Sequence, residues 1–360
     1  MNPATHARSR REVRLIVADA AGGVAARECF VGGLSGLMQA LEPGDALVLN
    51  DAATLPASFV ANVRSRSGEV RCEVRLLEAP DNDGIVHAIV LGSGDHRERT
   101  ERRGPPPRIE VGDGIVLGQA SRAEVTALLE DRLQLTFEQR GAALWTALLR
   151  DGRPIQYSHV PAPLALYDVQ TVYAGASVAV EMPSAGYGLT WSVLGALRAK
   201  GVELHAVTHA AGISSSGHAR LDAQLPLPER STLRATVAAS LNAVRRRGGR
   251  VIAVGTSVVR ALESFADARD QLHAGTQVTA LRIHPGYRLR VVDGLLTGMH
   301  APGESHHELL QAFASHATLS AIFAEAADRG FLAHEYGDVL LLAARSHNRG
   351  ESAKPRELVA

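Results

Sequence analysis

The spacing of apolar residues alternates between helical and strand-like patterns at both ends of the chain, and this alternation restricts the fold most. Near the N-terminus, a helical pattern ends at Pro43-Gly44, and the buried apolar run Ala46 to Leu49 follows. The same order returns from about residue 165, where the segments LTWSVLGALRAKG and VELHAVTH precede the strand-like run RVIAVG. Alternating helices and strands predict a mostly parallel sheet that helices cover on both faces.

The middle of the chain has a different period. Apolar and charged residues alternate there with a period of two, in the order Val70, Arg71, Cys72, Glu73, Val74, Arg75 and Leu76. Further short strand-like runs, separated by turn residues, extend to Phe137. Such a series of short strands predicts a small antiparallel β unit of the barrel type.

We therefore predict an α/β fold with two domains. A mostly parallel-sheet α/β domain, discontinuous in sequence, comprises residues 1–60 and 151–345. It carries an inserted small antiparallel β-barrel domain over residues 61–150. The polar C-terminal stretch 346–360, which contains Pro and Gly, is expected to be a disordered tail.

The composition argues against some classes of function. The chain has 38 Lys and Arg against 38 Asp and Glu, and only 4% aromatic residues. A general polyanion-binding surface and a stacking platform for single-stranded nucleic acid are therefore disfavoured. Cys29 and Cys72 have no CxxC spacing, so we expect buried thiols without a disulfide. Because the sequence shows neither a signal-peptide core nor an apolar run of membrane length, we expect a cytoplasmic protein with no membrane contact.

An arginine-rich segment, DHRERTERRGPPPR at residues 95–108, lies within the predicted barrel. It has five arginines against three acids and ends in a proline triplet. One interpretation is a solvated hairpin tip. The other is a loop that contacts phosphates, because exposed arginines suit nucleic-acid backbones. The candidate contacts are Arg97, Arg99, Arg102 and Arg103.

The segment RVIAVGTSVVRALES consists of a strand, a glycine, hydroxyl residues and a helix. Backbone N–H groups at such a helix start favour an anionic group such as a carboxylate or phosphate. The segment has neither the three glycines of a dinucleotide fingerprint nor a GxxxxGK motif. Thr256 and Ser257 are therefore either helix caps or ligand-facing residues.

Histidines are concentrated in the segment GMHAPGESHHELLQAF. His300 follows a predicted strand end, where open α/β sheets bind their ligands, and is a candidate acid or base. His306 and His307 are adjacent, so their side chains would diverge by about 100° on a helix, and no HExxH spacing is present. We therefore predict no metal site. Asp293 and Asp338 each precede or follow a predicted strand and are either turn residues or site carboxylates.

Six motifs occur together in the order GDALVLNDAATLPA, VQTVYA, PSAG, RVIAVGTSVVRALES, PGYRLRVVDGLLTGMHAP and EYGDVLLL. In these motifs, over roughly residues 8 to 342, the chain resembles the S-adenosylmethionine:tRNA ribosyltransferase-isomerase family of queuosine biosynthesis. The resemblance implies that the ribosyl part of S-adenosylmethionine is transferred to 7-aminomethyl-7-deazaguanine in tRNA and rearranged, while adenine and methionine leave. It implies S-adenosylmethionine as substrate and tRNA as partner, without a metal or a prosthetic group, and we expect a monomer.

The resemblance also implies roles for individual residues. His300 would act as acid or base, with Asp293 or Asp338 as an orienting or ribose-binding carboxylate. Arg260 would hold an anionic group such as the methionine carboxylate. The other positions expected to bind substrate are Asn50, Asp51, Gln170, Thr171, Tyr173, Ser184, Gly186, Thr256, Gly286, Tyr287 and Tyr336.

At several positions the chain departs from the family pattern. Ala52-Ala53 replace the usual threonine and arginine, and Tyr187-Gly188 replace leucine and histidine. Ser214–Ser216 stand where the family has glycine, threonine and phenylalanine. These replacements leave two alternatives open. One is a related enzyme that uses S-adenosylmethionine or another nucleoside with a different acceptor; the other is a non-catalytic binding protein.

Overall fold

A computed structural model describes residues 1–19, 28–30, 34–65, 68–119, 121–299 and 305–343. The strands in chain order are β1 (Asn2–Pro3), β2 (Leu15–Asp19), β3 (Glu28–Phe30), β4 (Ala46–Asn50), β5 (Ala53–Thr54), β6 (Ser58–Ser65), β7 (Gly68–Leu76), β8 (Ile85–Leu91), β9 (Gly114–Leu117), β10 (Ser121–Leu128), β11 (Leu133–Phe137), β12 (Ser177–Ala179), β13 (Glu203–His209), β14 (Glu229–Leu233), β15 (Val251–Val254), β16 (Gly275–Thr279), β17 (Gly294–Gly298), β18 (Leu332–Ala333) and β19 (Val339–Ala343). The α-helices are α1 (Leu37–Ala40), α2 (Gly141–Asp151), α3 (Trp191–Lys200), α4 (Ala219–Asp222), α5 (Ala235–Arg246), α6 (Thr256–Phe265), α7 (Ser305–Leu310) and α8 (His316–Asp328). Short 3₁₀ turns span Arg10–Glu12, Leu34–Gly36, Thr100–Arg102, Leu166–Val169 and Ser184–Gly186.

Nine strands of the described chain form one sheet, in the order β16-β14-β13-β4-β15-β17-β19-β2-β3. Its centre is parallel: β13 and β15 each pair in parallel with β4, and β17 pairs in parallel with β15. Strand β14 pairs antiparallel with β13, and β19 pairs antiparallel with β17. The four central strands β13, β4, β15 and β17 therefore end on one side of the sheet, which we call the carboxyl edge. Open α/β sheets bind ligands at such an edge.

Helices cover both faces of this sheet. Val48 of β4 packs in one core with Leu241 of α5, whereas Leu47 and Leu49 pack in a second core with Leu194 of α3. Successive residues of a strand point to opposite faces, so each face has its own buried core. The predicted parallel sheet with helices on both faces is confirmed.

The strands between Ser58 and Phe137 form a closed antiparallel barrel, in which six strands of the described chain follow the order β10-β11-β8-β7-β6-β9. The predicted inserted barrel is confirmed. Helix α2 packs Leu144 and Leu148 against the barrel core. The first barrel strand begins at Ser58, slightly before the expected boundary, and the division of the chain at residues 60/61 and 150/151 stays a prediction.

Cys72 is a free thiol in the barrel core, and burial followed by the neighbouring Glu73 raises its pKa to about 11. The side chain of Cys29 and the tail 346–360 lie outside the described part of the chain. None of the helices in the described ranges combines the length and the apolarity needed to cross a membrane.

Candidate active site

Asn50, the last residue of β4, joins two neighbouring strands at the carboxyl edge. Its Oδ1 accepts a hydrogen bond from the backbone N of His209 at 3.0 Å, and its Nδ2 donates to the carbonyl of His209 at 2.9 Å. Because His209 ends β13, one amide fixes the spacing of the two strand ends. The side chain of Asn50 is buried, so this residue holds the two strand ends in place and is not itself exposed to solvent.

Asp51 follows Asn50 and presents a carboxylate at the carboxyl edge. Its Oδ1 accepts a hydrogen bond from the hydroxyl of Thr208 at 2.6 Å, which orients the group. Its Oδ2 lies 3.9 Å from a guanidinium nitrogen of Arg234, and a quarter of the side chain is exposed. Asp51 is thus an oriented, accessible acceptor that suits the hydroxyls of a sugar.

The turn Ser184–Gly186 lies against Tyr173. A Cβ atom on Gly186 would lie 1.9 Å from the hydroxyl oxygen of Tyr173, so only glycine fits this close approach. The hydroxyls of Tyr173 and Thr171 are buried and have no hydrogen-bond partner among the described residues. Burial raises the pKa of Tyr173, so the phenol stays protonated. Two unpaired hydroxyls beside a tight turn are suited to a polar ligand group or water.

Gln170 and Tyr336 mainly hold the scaffold around this turn. The amide of Gln170 accepts from the backbone N of Thr54 at 2.9 Å and donates to the carbonyl of Thr54 at 2.8 Å. The hydroxyl of Tyr336 donates to the carbonyl of Asp168 at 3.3 Å, and its ring packs edge-on against Tyr187 at 5.1 Å. Both residues were predicted to bind substrate, and both have their polar atoms engaged within the protein.

Helix α6 begins directly after β15 without a side-chain cap. Gly255, with φ of +93°, is the N-cap residue, and no side chain in the described chain caps the helix. The interpretation of Thr256 or Ser257 as caps is therefore wrong; both lie in the first helical turn and are half-buried. A Cβ on Gly255 would lie 3.6 Å from Cβ of Ala185, so the helix start adjoins the Ser184–Gly186 turn. Uncapped N–H groups at this point favour an anionic group.

Arg260 lies in α6 close to the carboxyl edge, but its guanidinium is engaged within the protein, so its role with the methionine carboxylate stays a prediction. It is 5% exposed, forms an ion pair with Glu229 and donates to the carbonyl of Leu281 at 2.9 Å. Glu229 also receives hydrogen bonds from Nε2 of His209 and the backbone N of Gly212, both at 2.6 Å. Burial opposes ionisation of Glu229, but the charges of His209 and Arg260 lower its pKa to about 2. This group is an internal ion-pair network.

The carboxylates of the two predicted site aspartates are both bound within the protein. Asp338 is fully buried and binds the guanidinium groups of Arg8 at 3.0 Å and Arg14 at 2.7 Å. It ties the N-terminal segment to β19. Asp293 precedes β17 instead of ending a strand, and its carboxylate accepts from the backbone N of Val251 at 2.9 Å. It therefore lies at the amino end of β15 and β17, about 16 Å from the carboxyl edge for a five-residue strand.

Gly286 and Tyr287 are also separated from the carboxyl edge. Gly286 adopts φ of +83° in a turn, and the hydroxyl of Tyr287 donates to Glu263 at 3.4 Å. The same Glu263 accepts from the backbone N of Val292 at 3.1 Å, near the amino end of β17. The structure therefore does not bring these two residues together with Asn50 and Asp51.

A cluster of side chains, of which only Glu335 stands in one of the six motifs, lies beside the end of β17. We call Tyr157, His159, Glu181, His334 and Glu335 the acid–imidazole cluster. Nε2 of His159 lies 2.5 Å from Oε2 of Glu335, and the rings of His159 and His334 are stacked at 4.6 Å. Tyr157 donates its hydroxyl to Glu181. Only contacts between residues distant in sequence reveal this cluster, because its members belong to three separate segments.

The position of His334 connects this cluster to the carboxyl edge. Its backbone N donates to the carbonyl of Met299 at 3.3 Å, and Met299 directly follows β17. His300, the predicted acid or base, is the next residue and lies outside the described residues. The cluster therefore adjoins Met299 at the carboxyl end of β17.

The nitrogen and oxygen ligand atoms of His159, His334 and Glu335 lie within 4.8 Å of one another, so we considered a metal ion there. The two imidazole rings are stacked with 26° between their planes. Their in-plane lone pairs therefore run side by side and do not converge on one point. The arrangement fits an imidazole–carboxylate ion pair better than a metal centre.

The arginine-rich loop presents three of its four candidate arginines to solvent. Arg97, Arg99 and Arg102 line a groove of about 560 Å³ together with Ser158 and His159. The groove thus lies between the barrel and the acid–imidazole cluster.

Arg103, unlike the other three arginines of the loop, has a buried side chain, and its contact with tRNA stays a prediction. Its side chain is 1% exposed, and it donates to Glu73 and to the carbonyl of Gly92, both at 2.7 Å. Glu73 is also bound to the buried Arg75 at 2.6 Å. Glu73 and Arg75 point away from the barrel core, and the arginine-rich loop covers them. A period-two pattern normally indicates an exposed charged face, so it did not predict that these two residues are buried.

Comparison with known proteins identifies the family of the chain. The family model described as queuosine biosynthesis protein matches residues 2–342. The S-adenosylmethionine:tRNA ribosyltransferase-isomerase of Methylorubrum extorquens is 36% identical over 333 residues, which cover 86% of each chain. The protein of the same name from Rhodospirillum rubrum is 33% identical and covers 93% of this chain and 92% of its own length. The chain therefore belongs to the queuosine biosynthesis protein family.

Proposed function

We propose that this protein transfers the ribosyl moiety of S-adenosylmethionine to 7-aminomethyl-7-deazaguanine in tRNA and isomerises it. The products are epoxyqueuosine-tRNA, adenine and methionine. The observation that carries this proposal is that motifs far apart in sequence meet at the carboxyl edge: Asn50-Asp51, the turn Ser184–Gly186 and the start of α6. Relatives named for this activity cover most of the chain and support the same function.

The chemistry of the reaction indicates what each group does. The sulfonium makes the adjacent 5′ carbon acidic, so a base removes its proton, and departing adenine needs a proton donor. We assign His300 to acid–base chemistry and Asp51 to the ribose hydroxyls. Because the guanidinium of Arg260 is paired with the buried Glu229, we assign the methionine carboxylate to the uncapped start of α6 at Thr256.

A direct assay distinguishes this function from its alternatives. Purified protein is incubated with S-adenosylmethionine, with and without tRNA that carries the aminomethyl-deazaguanine, and adenine is measured. Adenine release that requires this tRNA supports the proposal. Release without tRNA indicates an enzyme with another acceptor, and binding of S-adenosylmethionine without release indicates a binding protein.

Replacement of Asp51 by Asn tests its role in holding the ribose. Asn keeps an oxygen for Thr208 but loses the negative charge, so the fold should be retained. A hydrogen bond to a charged group contributes about 1.5–3 kcal/mol, so kcat/KM for S-adenosylmethionine should fall about 10- to 100-fold. Steady-state kinetics with saturating tRNA measures this effect. An unchanged kcat/KM would place the ribose elsewhere.

The exposed arginine groove is the proposed contact for tRNA phosphates. Reversing the charge of Arg99 and Arg102 to Glu should weaken tRNA binding about tenfold at 0.1 M salt. The slope of log Kd against log salt should also decrease by about 1 to 2, because up to two phosphate contacts are lost. Filter binding at several salt concentrations measures both quantities. Arg71→Glu, at an exposed position on β7, is the matched control, and an equal effect of this control would contradict a specific groove.

We also propose that the protein works as a monomer in the cytoplasm, where both tRNA and S-adenosylmethionine are present, without a prosthetic group. Sedimentation at several protein concentrations tests the monomer, and a concentration-dependent mass would contradict it.

A further inference from the structure

Glu181 belongs to none of the family motifs, yet three segments place it beside the carboxyl edge. It follows β12, which pairs in parallel with β5 immediately after Asn50-Asp51. It precedes the Ser184–Gly186 turn by three residues. Its Oε1 accepts from the hydroxyl of Tyr157 and, at 3.0 Å, from the backbone N of Ser214. Because both bonds go to Oε1, the proton of the neutral acid resides on Oε2.

The two carboxyl groups of the acid–imidazole cluster have opposite environments. Burial, with a further contribution from the charge of Glu335, raises the pKa of Glu181 to about 7. Burial also opposes ionisation of Glu335, but the hydrogen bond and charge of His159 hold the pKa of Glu335 below its ordinary value. Burial raises the pKa of Tyr157, so its phenol stays neutral. The guanidinium of Arg75, 5.7 Å from the ring centre, lowers this pKa but does not outweigh burial. Paired carboxyls whose pKa values are driven apart are typical of acid and base assignments.

We propose that Glu181 is the acid that protonates adenine as it leaves S-adenosylmethionine. This inference rests on the function proposed above. The bond between the ribose C1′ and the adenine N9 breaks, and its electron pair goes to adenine. The proton on Oε2 of Glu181 passes to a nitrogen of adenine, so neutral adenine departs and Glu181 becomes a carboxylate. Water reprotonates the carboxylate before the next turnover.

Replacing Glu181 by Gln tests this role through the pH dependence of kcat. Adenine release is measured at saturating S-adenosylmethionine and tRNA between pH 5.5 and 9. For the unaltered protein, kcat should fall as pH rises above about 7, because Glu181 loses its proton. Glu181→Gln should lower kcat about 100-fold at pH 6.5 and abolish this alkaline limb, with little change in KM for S-adenosylmethionine. Glu78→Gln, at an exposed carboxyl on the barrel, should leave the profile unchanged.

Tyr157→Phe provides a readout that a purely structural role would not move. The hydrogen bond from Tyr157 lowers the pKa of Glu181, so its loss should shift the alkaline limb to higher pH. If Glu181→Gln does not fold, Glu181→Asp decides, because it retains a carboxyl and should retain an alkaline limb with reduced kcat.

The outcomes separate this inference from the proposed function. If the unaltered protein is active and Glu181→Gln keeps both its kcat within threefold and the alkaline limb of the profile, the role of Glu181 is overturned and the proposed function is not. Loss of the alkaline limb of the kcat profile in Glu181→Asp also overturns the role of Glu181. Absence of tRNA-dependent adenine release from the unaltered protein at every pH overturns the proposed function, and the role of Glu181 with it.

Discussion

Replacing Arg260 by Met is expected to lower the free energy of unfolding by about 3–5 kcal/mol, because it leaves a buried carboxylate without its guanidinium partner. Arg260 and Glu229 are 5% and 8% exposed, so water cannot replace the lost guanidinium. Glu229 would retain only its hydrogen bonds from His209 and Gly212. Urea unfolding, followed by circular dichroism, measures the change.

The double variant Glu229→Gln with Arg260→Met is the matched control. Glutamine retains an oxygen that can accept from His209 and Gly212, and the carboxylate and the guanidinium are removed together. We therefore expect the double variant to be more stable than Arg260→Met alone, as in other buried ion pairs replaced as a unit. If Arg260→Met unfolds like the unaltered protein but has a raised KM for S-adenosylmethionine, then Arg260 binds substrate after all.

The same network gives stability a defined pH dependence. The pKa of Glu229 is lower in the folded protein, about 2, than its ordinary value of 4.5. Its contribution is therefore fully present above the unfolded pKa and is lost as pH falls from about 4 towards 2. Glu229→Gln should remove this component of acid unfolding, and an unchanged acid-unfolding midpoint would contradict it.

The hydrophobic periods were sufficient to predict the architecture because they are local properties of the chain. The run Ala46 to Leu49 could be recognised as a buried strand, since every residue of β4 is buried by helices on the two faces. The period-two segment around Val74 likewise indicated the barrel. Neither conclusion required knowledge of contacts between distant residues.

The position of Asp293 could not be predicted in this way. The segment RLRVVD has the alternation of a strand, yet β17 begins only at Gly294. The backbone N–H groups of Arg290, Val291 and Val292 donate to the carboxylate of Glu263 and are not available to a neighbouring strand. Because Glu263 lies in helix α6, the competition for these donors depends on tertiary structure.

Charged partners were the other limit of the sequence analysis. The spacing of Arg260, Asp338 and Arg103 gave no sign that each would be buried against an oppositely charged group. Conversely, Glu181 stands in none of the motifs, and Glu335 stands in EYGDVLLL without a predicted role. The pKa of Glu181 depends on burial and on its hydrogen bond from Tyr157, and that of Glu335 on burial and on His159. Motifs therefore located the carboxyl edge correctly in part, through Asn50 and Asp51, and missed its neighbouring acid–imidazole cluster.

Replacing His300 by Ala is expected to reduce kcat for adenine release by about 10²- to 10⁴-fold, the usual loss when a general acid or base is removed. The described chain brings Met299, the residue before His300 in sequence, to the end of β17 beside His334. Single-turnover assays with S-adenosylmethionine and the aminomethyl-deazaguanine tRNA measure the chemical step. KM for S-adenosylmethionine should change little, because Asp51 and the start of α6 are the proposed binding groups.

His306→Ala is the matched control. It removes an imidazole from the same stretch of sequence, and His306 has no counterpart in the family pattern. Its kcat should remain within about twofold of the unaltered protein, as expected for a histidine outside the site. If His300→Ala also retains its kcat, the proton transfers assigned to His300 must come from another group. His159, whose ring stacks on that of His334 beside Met299, would then be the candidate base. A second variant, His159→Ala, would separate these cases by abolishing the turnover that His300→Ala had left intact.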